Sequence, residues 1–308
     1  MRCLNPQNFQ KDGNYIGCGG CMPCRINRQK EWFTKLMLET KTFPNPVFVT
    51  LTYSPENIPP LQSLNKRDLQ NFFKRFRRNL DYITKGHKIR YFGVGEYGSQ
   101  TERPHYHAII YNIDLALAEK LVKKSWKLGH SQTGAVKKGG IRYVTGYTLK
   151  KMTSEKDYEK KSYPPRVPEF SIMSRNPALG SYSLPAIASR LKKHGMYPNA
   201  ILNSEEKMQA RNLGLQFRNF DGVIKLNGIS AKLDLRMLEK LGEIIAPNYR
   251  DWLQHPSVIV PPELKAFKRA SHSKSFNDIM DFMLGDDYVT TEKKSKKSYR
   301  SQTNARSL

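Results

Sequence analysis

The period of the apolar positions changes several times along the first half of the chain, and each change marks an element. From Arg25 to Thr40, residues Ile26, Phe33, Leu36, Met37 and Thr40 recur at roughly helical spacing, which predicts an amphipathic helix ending before Pro44. Val47-Phe48-Val49-Thr50-Leu51-Thr52-Tyr53 is a β-branched and aromatic run bounded by Pro46 and Pro55, and it predicts a buried strand. Asn65 followed by Asp68 resembles a capping box. The stripe Leu69, Phe72, Phe73, Phe76 and Leu80 then predicts a helix whose outer face carries Lys66, Arg67, Lys74, Arg75, Arg77 and Arg78. Ile89 to Tyr97 and His105 to Asn112 are strand-like, and the turn residues Gly98 to Pro104 between them predict a hairpin. Two more helices are predicted, Asp114 to Lys127 and about Ile141 to Met152.

The order helix, strand, helix, strand, strand, helix, helix has an economical α+β solution: a central antiparallel sheet covered by helices on one face. The pattern divides the chain into a Cys-rich knuckle at 1–24, a sheet domain at 25–154, a mixed region at 155–289 and a basic tail at 290–308. The mixed region begins with the charged run Glu155 to Lys161 and with Pro164, Pro165 and Pro168, which read as a linker or irregular arm. Further on, a hairpin is predicted around Asp221-Gly222, between Leu215–Phe220 and Val223–Leu226, along with helices at Leu184–His194 and Leu233–Ile245. The tail, with Lys293, Lys294, Lys296, Lys297 and Arg300 among Ser and Thr, predicts disorder. No internal repeat is visible.

Charge narrows the function classes. In 308 residues, 52 Lys and Arg face 27 Asp and Glu, a net charge of +25. A neutral substrate has no need of that excess, whereas a polyphosphate partner does, because each cation placed on a phosphate releases condensed counterions. An apolar fraction of 38% is enough for a core, so the chain is not a basic disordered tail throughout. No apolar run approaches the roughly 18 residues needed to cross a bilayer, and Met1 to Gln7 lack a signal-peptide core, so a cytoplasmic location is expected. The four cysteines, Cys3, Cys18, Cys21 and Cys24, are too few and too clustered to staple a chain of this size, and reduced thiols available to a metal fit better.

The strongest local signal is His105-Tyr106-His107 within a predicted strand. The period of two puts both imidazoles on one face, within reach of one metal ion. Glu96, just before the hairpin turn, can be brought beside His105 by antiparallel pairing, and Glu102, in the turn, is a less rigid candidate. Two imidazoles and a carboxylate leave coordination positions open for Mg²⁺ or, more readily, Mn²⁺, and zinc would also bind such a set. The second signal is Tyr143-x-x-x-Tyr147-x-x-Lys150. On a helix the two phenols lie one turn apart, with Lys150 and Lys151 a turn further on. A phenol with an ordinary pKa of about 10 is a poor nucleophile at neutral pH, and a nearby cation lowers the demand on it. Gly146 in mid-helix, which costs about 1 kcal/mol relative to Ala, points to a close backbone approach.

Phe48-Val49-Thr50-Leu51-Thr52-Tyr53, Pro104-His105-Tyr106-His107 and Tyr143-x-x-x-Tyr147-x-x-Lys150, in this order, resemble motifs I, II and III of the HUH endonucleases. Within that superfamily the chain is most similar to the replication-initiation proteins of small single-stranded-DNA phages of the microvirus type. Their amino-terminal Cys-Gly-x-Cys-x-x-Cys-Arg run is matched by Cys18-Gly19-Gly20-Cys21-Met22-Pro23-Cys24-Arg25, and Ser174 to Gly180 also resembles a segment of that family. The resemblance covers about residues 15 to 155. It implies an HUH/RRM-like palm and a nickase and strand transferase working through a 5′-phosphotyrosine, with His105, His107 and Glu96 as ligands of Mg²⁺ or Mn²⁺. Tyr143 and Tyr147 would be the nucleophiles and Lys150 an accessory cation. It implies a single-stranded replication origin as substrate, a host helicase and polymerase as partners, and a bacterial cytoplasm as location. Motif I is given no catalytic role, with DNA contacts by Thr50, Thr52 or Tyr53 as an option.

A covalent intermediate keeps the phosphodiester energy, so no nucleotide cofactor is expected, and the chain carries no Walker-type run. The four cysteines can supply a tetrahedral structural zinc, with an iron–sulfur cluster the other formal option. Arg25 and Arg28, next to the knuckle, and Lys74, Arg75, Arg77 and Arg78 on the basic helix are the candidate DNA-binding residues. Two rival readings stay open. A non-catalytic nucleic-acid-binding protein would have the same charge and cysteines, and a hydrolytic metal phosphodiesterase would need the histidines without the tyrosine pair.

Overall fold

The computed structural model describes residues 2–8, 15–98, 100–136, 139–150, 166–198, 201–202, 204–212, 218–226 and 228–247. The linker run at 155–161 and the basic tail at 290–308 lie outside them. The chain divides into two compact units, Met1–Ser183 and Leu184–Leu308.

The first unit is built on a five-stranded antiparallel sheet. Two short paired strands, β1 (Gln7–Asn8) and β2 (Tyr15–Ile16), precede it. The sheet strands are β3 (Val47–Tyr53), β4 (Arg90–Tyr97), β5 (Pro104–Tyr111), β6 (Gly129–Ala135) and β7 (Phe170–Met173), in the spatial order β6-β3-β5-β4-β7. β4 and β5 form the predicted hairpin, with Glu96 opposite His105 and Val94 opposite His107. β3 lies on the other side of β5, with Thr50 opposite His107 and Thr52 opposite His105.

The α+β class and the antiparallel sheet are as the sequence predicts, but the helices cover both faces of the sheet rather than one. Against the first face lie α2 (Lys66–Ile83) and α3 (Leu115–Ser125), whose Leu69, Phe72, Phe73, Phe76, Leu121 and Val122 meet the inward side chains of β3 and β5. Against the second lie α1 (Met22–Thr42) and α4 (Gly140–Lys150), where Leu36, Ile141 and Val144 meet Phe92, Val94, Ile109 and Tyr111. The reason is the composition of β4 and β5, which is apolar on both alternating sets of positions. Each exposed Phe, Val or Ile that a second helical layer buries is worth about 1.5–3 kcal/mol.

Two strands lack the pattern that would reveal them. β6, Gly-His-Ser-Gln-Thr-Gly-Ala, is a polar edge strand that pairs with β3 through its backbone and shows no apolar alternation. At its start Gly129 has φ +152, and a Cβ there would fall 2.2 Å from Ser54 N. β7, four residues long, comes from the mixed region after 154, and its Phe170 and Ile172 reach the α2 side of the core. The capping box also differs in detail. Asn65 Oδ1 accepts from Arg67 N at 3.0 Å, as a cap should, but Asp68 turns away and accepts the Tyr53 hydroxyl at 2.7 Å.

The segment Ser174 to Gly180 acquires a structural role. Glu39 of α1, fully buried, pairs with the buried Arg90 of β4. Arg90 Nη1 donates to the Pro177 carbonyl at 2.9 Å, and Gly180 N donates to Glu39 Oε2 at 2.6 Å. Ser174 Oγ accepts from Tyr91 N at 3.1 Å, and Ser174 N donates to the Tyr91 carbonyl at 3.0 Å. The segment therefore closes over an ion pair that would otherwise be buried with its remaining hydrogen-bonding capacity unmet.

The second unit contains α5 (Leu184–Lys193), α6 (Ser204–Asn212) and α7 (Leu235–Ile245). Of its strands, β8 (Met196–Tyr197) runs parallel to β9 (Arg218–Asn219), and β10 (Val223–Leu226) is antiparallel to β11 (Ile229–Lys232). The hairpin predicted around Asp221-Gly222 is thus displaced by one strand. Val223–Leu226 pairs forward across Asn227-Gly228, the stronger two-residue turn signal, with Gly228 at φ +78.

Candidate metal centre and its surroundings

The sheet register assembles three of the predicted ligands. Period-two alternation puts His105 and His107 of β5 on the α1/α4 face, and Glu96 on β4 projects from that same face across the hairpin. His105 Nε2 donates to Glu96 Oε1 at 2.7 Å and His107 Nε2 to the same oxygen at 3.1 Å. The imidazoles stand nearly perpendicular, at 86°, with centroids 5.0 Å apart. Glu96 and His107 are buried, at 4% and 6% exposure, and His105 is partly open.

The other nitrogen of each imidazole is anchored. His105 Nδ1 donates to the Arg103 carbonyl at 3.0 Å, and His107 Nδ1 lies 3.0 Å from Thr50 Oγ1. Anchoring one ring nitrogen so that the other points at a common centre is how proteins orient imidazole ligands. With acceptors on both of its nitrogens, His105 is protonated in the metal-free centre. Burial opposes that charge, but the Glu96 carboxylate and the Arg103 carbonyl outweigh it and raise the His105 pKa above its ordinary value. Burial likewise disfavours the Glu96 carboxylate, but the two histidines override it and hold its pKa at about 2.

These three residues can hold a metal ion, since one ligand atom from each lies within 4.8 Å of the other two. A further observation fits a cation there. The second carboxylate oxygen, Glu96 Oε2, is buried without a hydrogen-bond partner, an arrangement that is costly unless something positive meets it. Glu102 does not join the cluster and instead pairs with Arg166 at 2.9 Å.

Tyr143 comes to this centre from the first turn of α4. Its ring centroid lies 5.8 Å from that of His107, and Phe48 of β3 lines the same space, stacked on His107 at 5.4 Å and 6.3 Å from the Tyr143 ring. The Tyr143 side chain is 54% exposed, open to a polymer arriving from solvent. Tyr147 and Lys150 occupy the same helix one and two turns on, and their side chains lie outside the described residues. Gly146 needs no close backbone neighbour, because an added Cβ would meet only Gln29 Nε2, at 3.8 Å.

The motif I residues divide by face. Thr50 and Thr52 look toward the centre, whereas Tyr53 is 1% exposed in the core. There it donates to Asp68 and shares a 2.6 Å hydrogen bond with the Tyr106 hydroxyl, so the DNA contact offered for Tyr53 is withdrawn. Sequence reasoning missed Phe48 and Arg103, and it also missed β6. Across β3, Thr52 pairs with His130 and Thr50 with Gln132, so this edge strand extends the polar face of the centre with two exposed side chains.

The candidate DNA-binding residues fall on opposite sides of the sheet. Arg25 and Arg28 are on α1, on the same face as the centre. Lys74, Arg75, Arg77 and Arg78 are on α2, across the sheet from it. Among these, Arg75 Nε donates to the Ser125 carbonyl at 2.7 Å and Arg77 lies over the Tyr91 ring. The cysteines come together: Cys3, Cys18, Cys21 and Cys24 place their sulfurs within 4.8 Å of one another. No helix among the described residues is long and apolar enough to cross a membrane.

Residues 46–152, which carry the sheet, the Glu96-His105-His107 centre and α4, match the family model described as replication-associated protein ORF2. The chain is 30% identical over 193 residues to replication-associated protein ORF2 of Spiroplasma virus 4, covering 54% of this chain and 58% of that protein. It is 27% identical over 164 residues to replication-associated protein VP4 of Bdellovibrio phage phiMH2K, covering 48% and 52%. With replication-associated protein ORF4 of Chlamydia phage 1 it shares 27% identity over 154 residues, covering 44% and 38%. No solved structure matches. The chain thus spans about half the length of the curated relatives it matches. Its sheet domain belongs to the replication-associated protein ORF2 family, and the chain is a relative of phage rolling-circle replication initiators.

Proposed function

We propose that the chain is a metal-dependent, site-specific single-strand DNA endonuclease and strand transferase that starts rolling-circle replication of a circular phage genome. The observation that carries this reading is the approach of the Tyr143 ring to His107 at the edge of a buried two-histidine, one-carboxylate centre. Glu96, His105 and His107 would hold Mg²⁺ or Mn²⁺. A divalent ion bound there would withdraw charge from the scissile phosphate as the transition state forms.

The chain's own residues do the rest. Thr50 and the Arg103 carbonyl fix the two imidazoles, and Phe48 packs the space between His107 and Tyr143. Tyr143 Oη attacks phosphorus and forms the tyrosyl O–P bond, while the bond from phosphorus to the 3′ oxygen breaks. The proton lost by the phenol balances the one gained by the leaving oxygen, which departs as a 3′-OH primer end. Lys150 is the accessory cation that eases loss of the phenolic proton. When the origin is regenerated, Tyr147 repeats the attack, and the 3′-OH it frees displaces Tyr143 from the first phosphate, closing a circle. Phosphodiester energy is conserved at each transfer, so no nucleotide is consumed. Unwinding and synthesis fall to a helicase and polymerase in the host cytoplasm.

The test is a labelled single-stranded origin oligonucleotide incubated with the protein and Mn²⁺ and resolved on a denaturing gel. Protein–DNA adducts that persist in each single Tyr→Phe variant and vanish in the double Tyr143→Phe, Tyr147→Phe variant are expected. Cleavage without an adduct would mean a hydrolytic phosphodiesterase, and binding without cleavage a nucleic-acid-binding protein.

A further inference from the structure

We infer that Cys3, Cys18, Cys21 and Cys24 form a tetrahedral zinc site that ties the amino-terminal segment to the start of α1, apart from the Glu96-His105-His107 centre. The warrant is the geometry of the sulfurs. Four thiolates around one zinc at about 2.3 Å stand about 3.8 Å from each other. Here Cys3 Sγ and Cys21 Sγ are 3.7 Å apart, and all four sulfurs lie within 4.8 Å of one another. That separation is far beyond the roughly 2.05 Å of a disulfide, and all four cysteines are free. In a cubane iron–sulfur cluster each thiolate sits on a different iron, which spreads the sulfurs more widely than this, so a single ion fits the spacing better.

The surroundings favour thiolates. Cys18 N donates to Cys3 Sγ at 3.2 Å and Cys21 N to Cys18 Sγ at 3.4 Å. Cys21 is the N-cap of α1 and Cys24 lies in its first turn, where the unpaired amides of the helix carry partial positive charge. The backbone leaves room for the sulfurs: a Cβ at Gly17 would sit 2.8 Å from Cys24 Sγ, and Gly19 turns the chain at φ +76 between the first two ligands of the run. Arg25 Nε donates to the Gly20 carbonyl at 3.0 Å, locking that turn onto the helix.

Position gives the site its use. α1 carries Gln29, the nearest neighbour to Gly146 in the tyrosine helix, and Trp32, which packs on Phe92 of the sheet with centroids 4.9 Å apart. A zinc clamp at the head of α1 therefore braces the helix against which the tyrosine helix rests. It acts in positioning, with no contact to the reacting atoms, and it stands whether or not the nickase reading does.

The experiment uses the full chain purified from zinc-supplemented cells. Elemental analysis should find one zinc per chain, released stoichiometrically as a mercurial titrates the four thiols, and His105→Ala, His107→Ala protein should retain it. Cobalt substitution should give the sulfur-to-cobalt charge-transfer absorption of a tetrahedral thiolate site. Cys21→Ser should lower bound zinc on the order of tenfold or more; if that variant does not fold, the mercurial titration and the cobalt spectrum decide on the unaltered protein. Native protein whose four thiols react freely with no zinc released, zinc that leaves with the histidines, or iron in place of zinc would each overturn the proposal.

Discussion

Thr50 Oγ1 lies 3.0 Å from Nδ1 of His107, on the strand opposite, and so turns Nε2 of that imidazole toward Glu96. Replacing the hydroxyl by a methyl of the same shape would free the ring without opening a cavity. Thr50→Val should weaken metal binding about 10–100-fold, with the melting temperature little changed. Titration of the metal-free protein with Mn²⁺, followed by electron paramagnetic resonance, reads the free ion directly. Unchanged affinity would mean that Thr50 does not orient the ligand.

The buried ion pair between Glu39 and Arg90 predicts a stability effect distinct from any effect on the site. Removing one partner leaves the other charge in the core, with the Gly180 amide or the Pro177 carbonyl also stripped of its bond. Arg90→Met should cost about 3–5 kcal/mol. Urea denaturation of the variant checks it, and a loss below about 1 kcal/mol would show that the pair contributes little beyond packing.

Alkaline pH should unfold the protein through its tyrosine cluster. Burial raises the Tyr53 pKa well above its ordinary value, with the hydrogen bonds from Tyr106 and Asp68 adding to it, and burial takes Tyr106 to about 12. A raised folded-state value favours the neutral phenol, so this contribution to stability is complete below the unfolded pKa of about 10. It is lost as pH rises from there through 12. Denaturation midpoints measured between pH 8 and 12 should stay level and then fall, less steeply in Tyr53→Phe. A level curve to pH 12 would contradict the assignment.

The way the centre is distributed over the chain explains which parts of it the sequence discloses. His105 and His107 share a face because of strand period alone, and Glu96 is set opposite by a hairpin closed within a few residues, so local rules suffice for all three. Thr50 and Phe48 depend on the pairing of β3 with β5 across some 50 residues, a register fixed by which face of each strand is buried rather than by any turn. β6 is invisible to apolar patterning because an edge strand is held by backbone bonds to one neighbour. Tyr53 reads like a surface aromatic of a motif until its hydroxyl is seen between Asp68 and Tyr106. The basic stripe of α2 is evident in the sequence, but not that the apolar face opposite it sets those charges across the sheet from the histidines.

That last point leads to a comparison of charges and polar groups by face. His130 and Gln132, exposed on β6, continue the rows that begin at Glu96 and Val94, and Arg28 stands exposed on α1. His130→Ala, Gln132→Ala should therefore reduce cleavage of the origin strand, and Arg28→Ala should lower the slope of log affinity against log salt by about 0.7, one phosphate contact on a single strand. Arg77→Ala, Arg78→Ala should weaken overall retention on DNA while leaving single-turnover cleavage at saturating protein unchanged. Cleavage assays paired with salt-dependent anisotropy distinguish these outcomes; a saturating cleavage rate that falls with the α2 variant would place the scissile strand on the wrong face.

Gly146 separates the two tyrosines of α4, and nothing in the packing requires a glycine there, since an added Cβ reaches only the Gln29 side-chain amide, at ordinary contact distance. Ala at an interior helical position removes chain entropy from the unfolded state and has the better helix propensity, so Gly146→Ala should stabilise the fold by about 0.4–1 kcal/mol. Cleavage of a single origin by Tyr143 uses only the first turn of the helix and should keep its rate. Transfer between Tyr143 and Tyr147 asks both phenols to reach one centre, which a helix that bends at Gly146 permits more easily than a rigid one. The variant should then yield normal adducts and fewer closed circles from a substrate with two origins. Equal loss of both products would instead point to an effect on metal or DNA binding, and a lower melting temperature would mean that Gln29 cannot move aside.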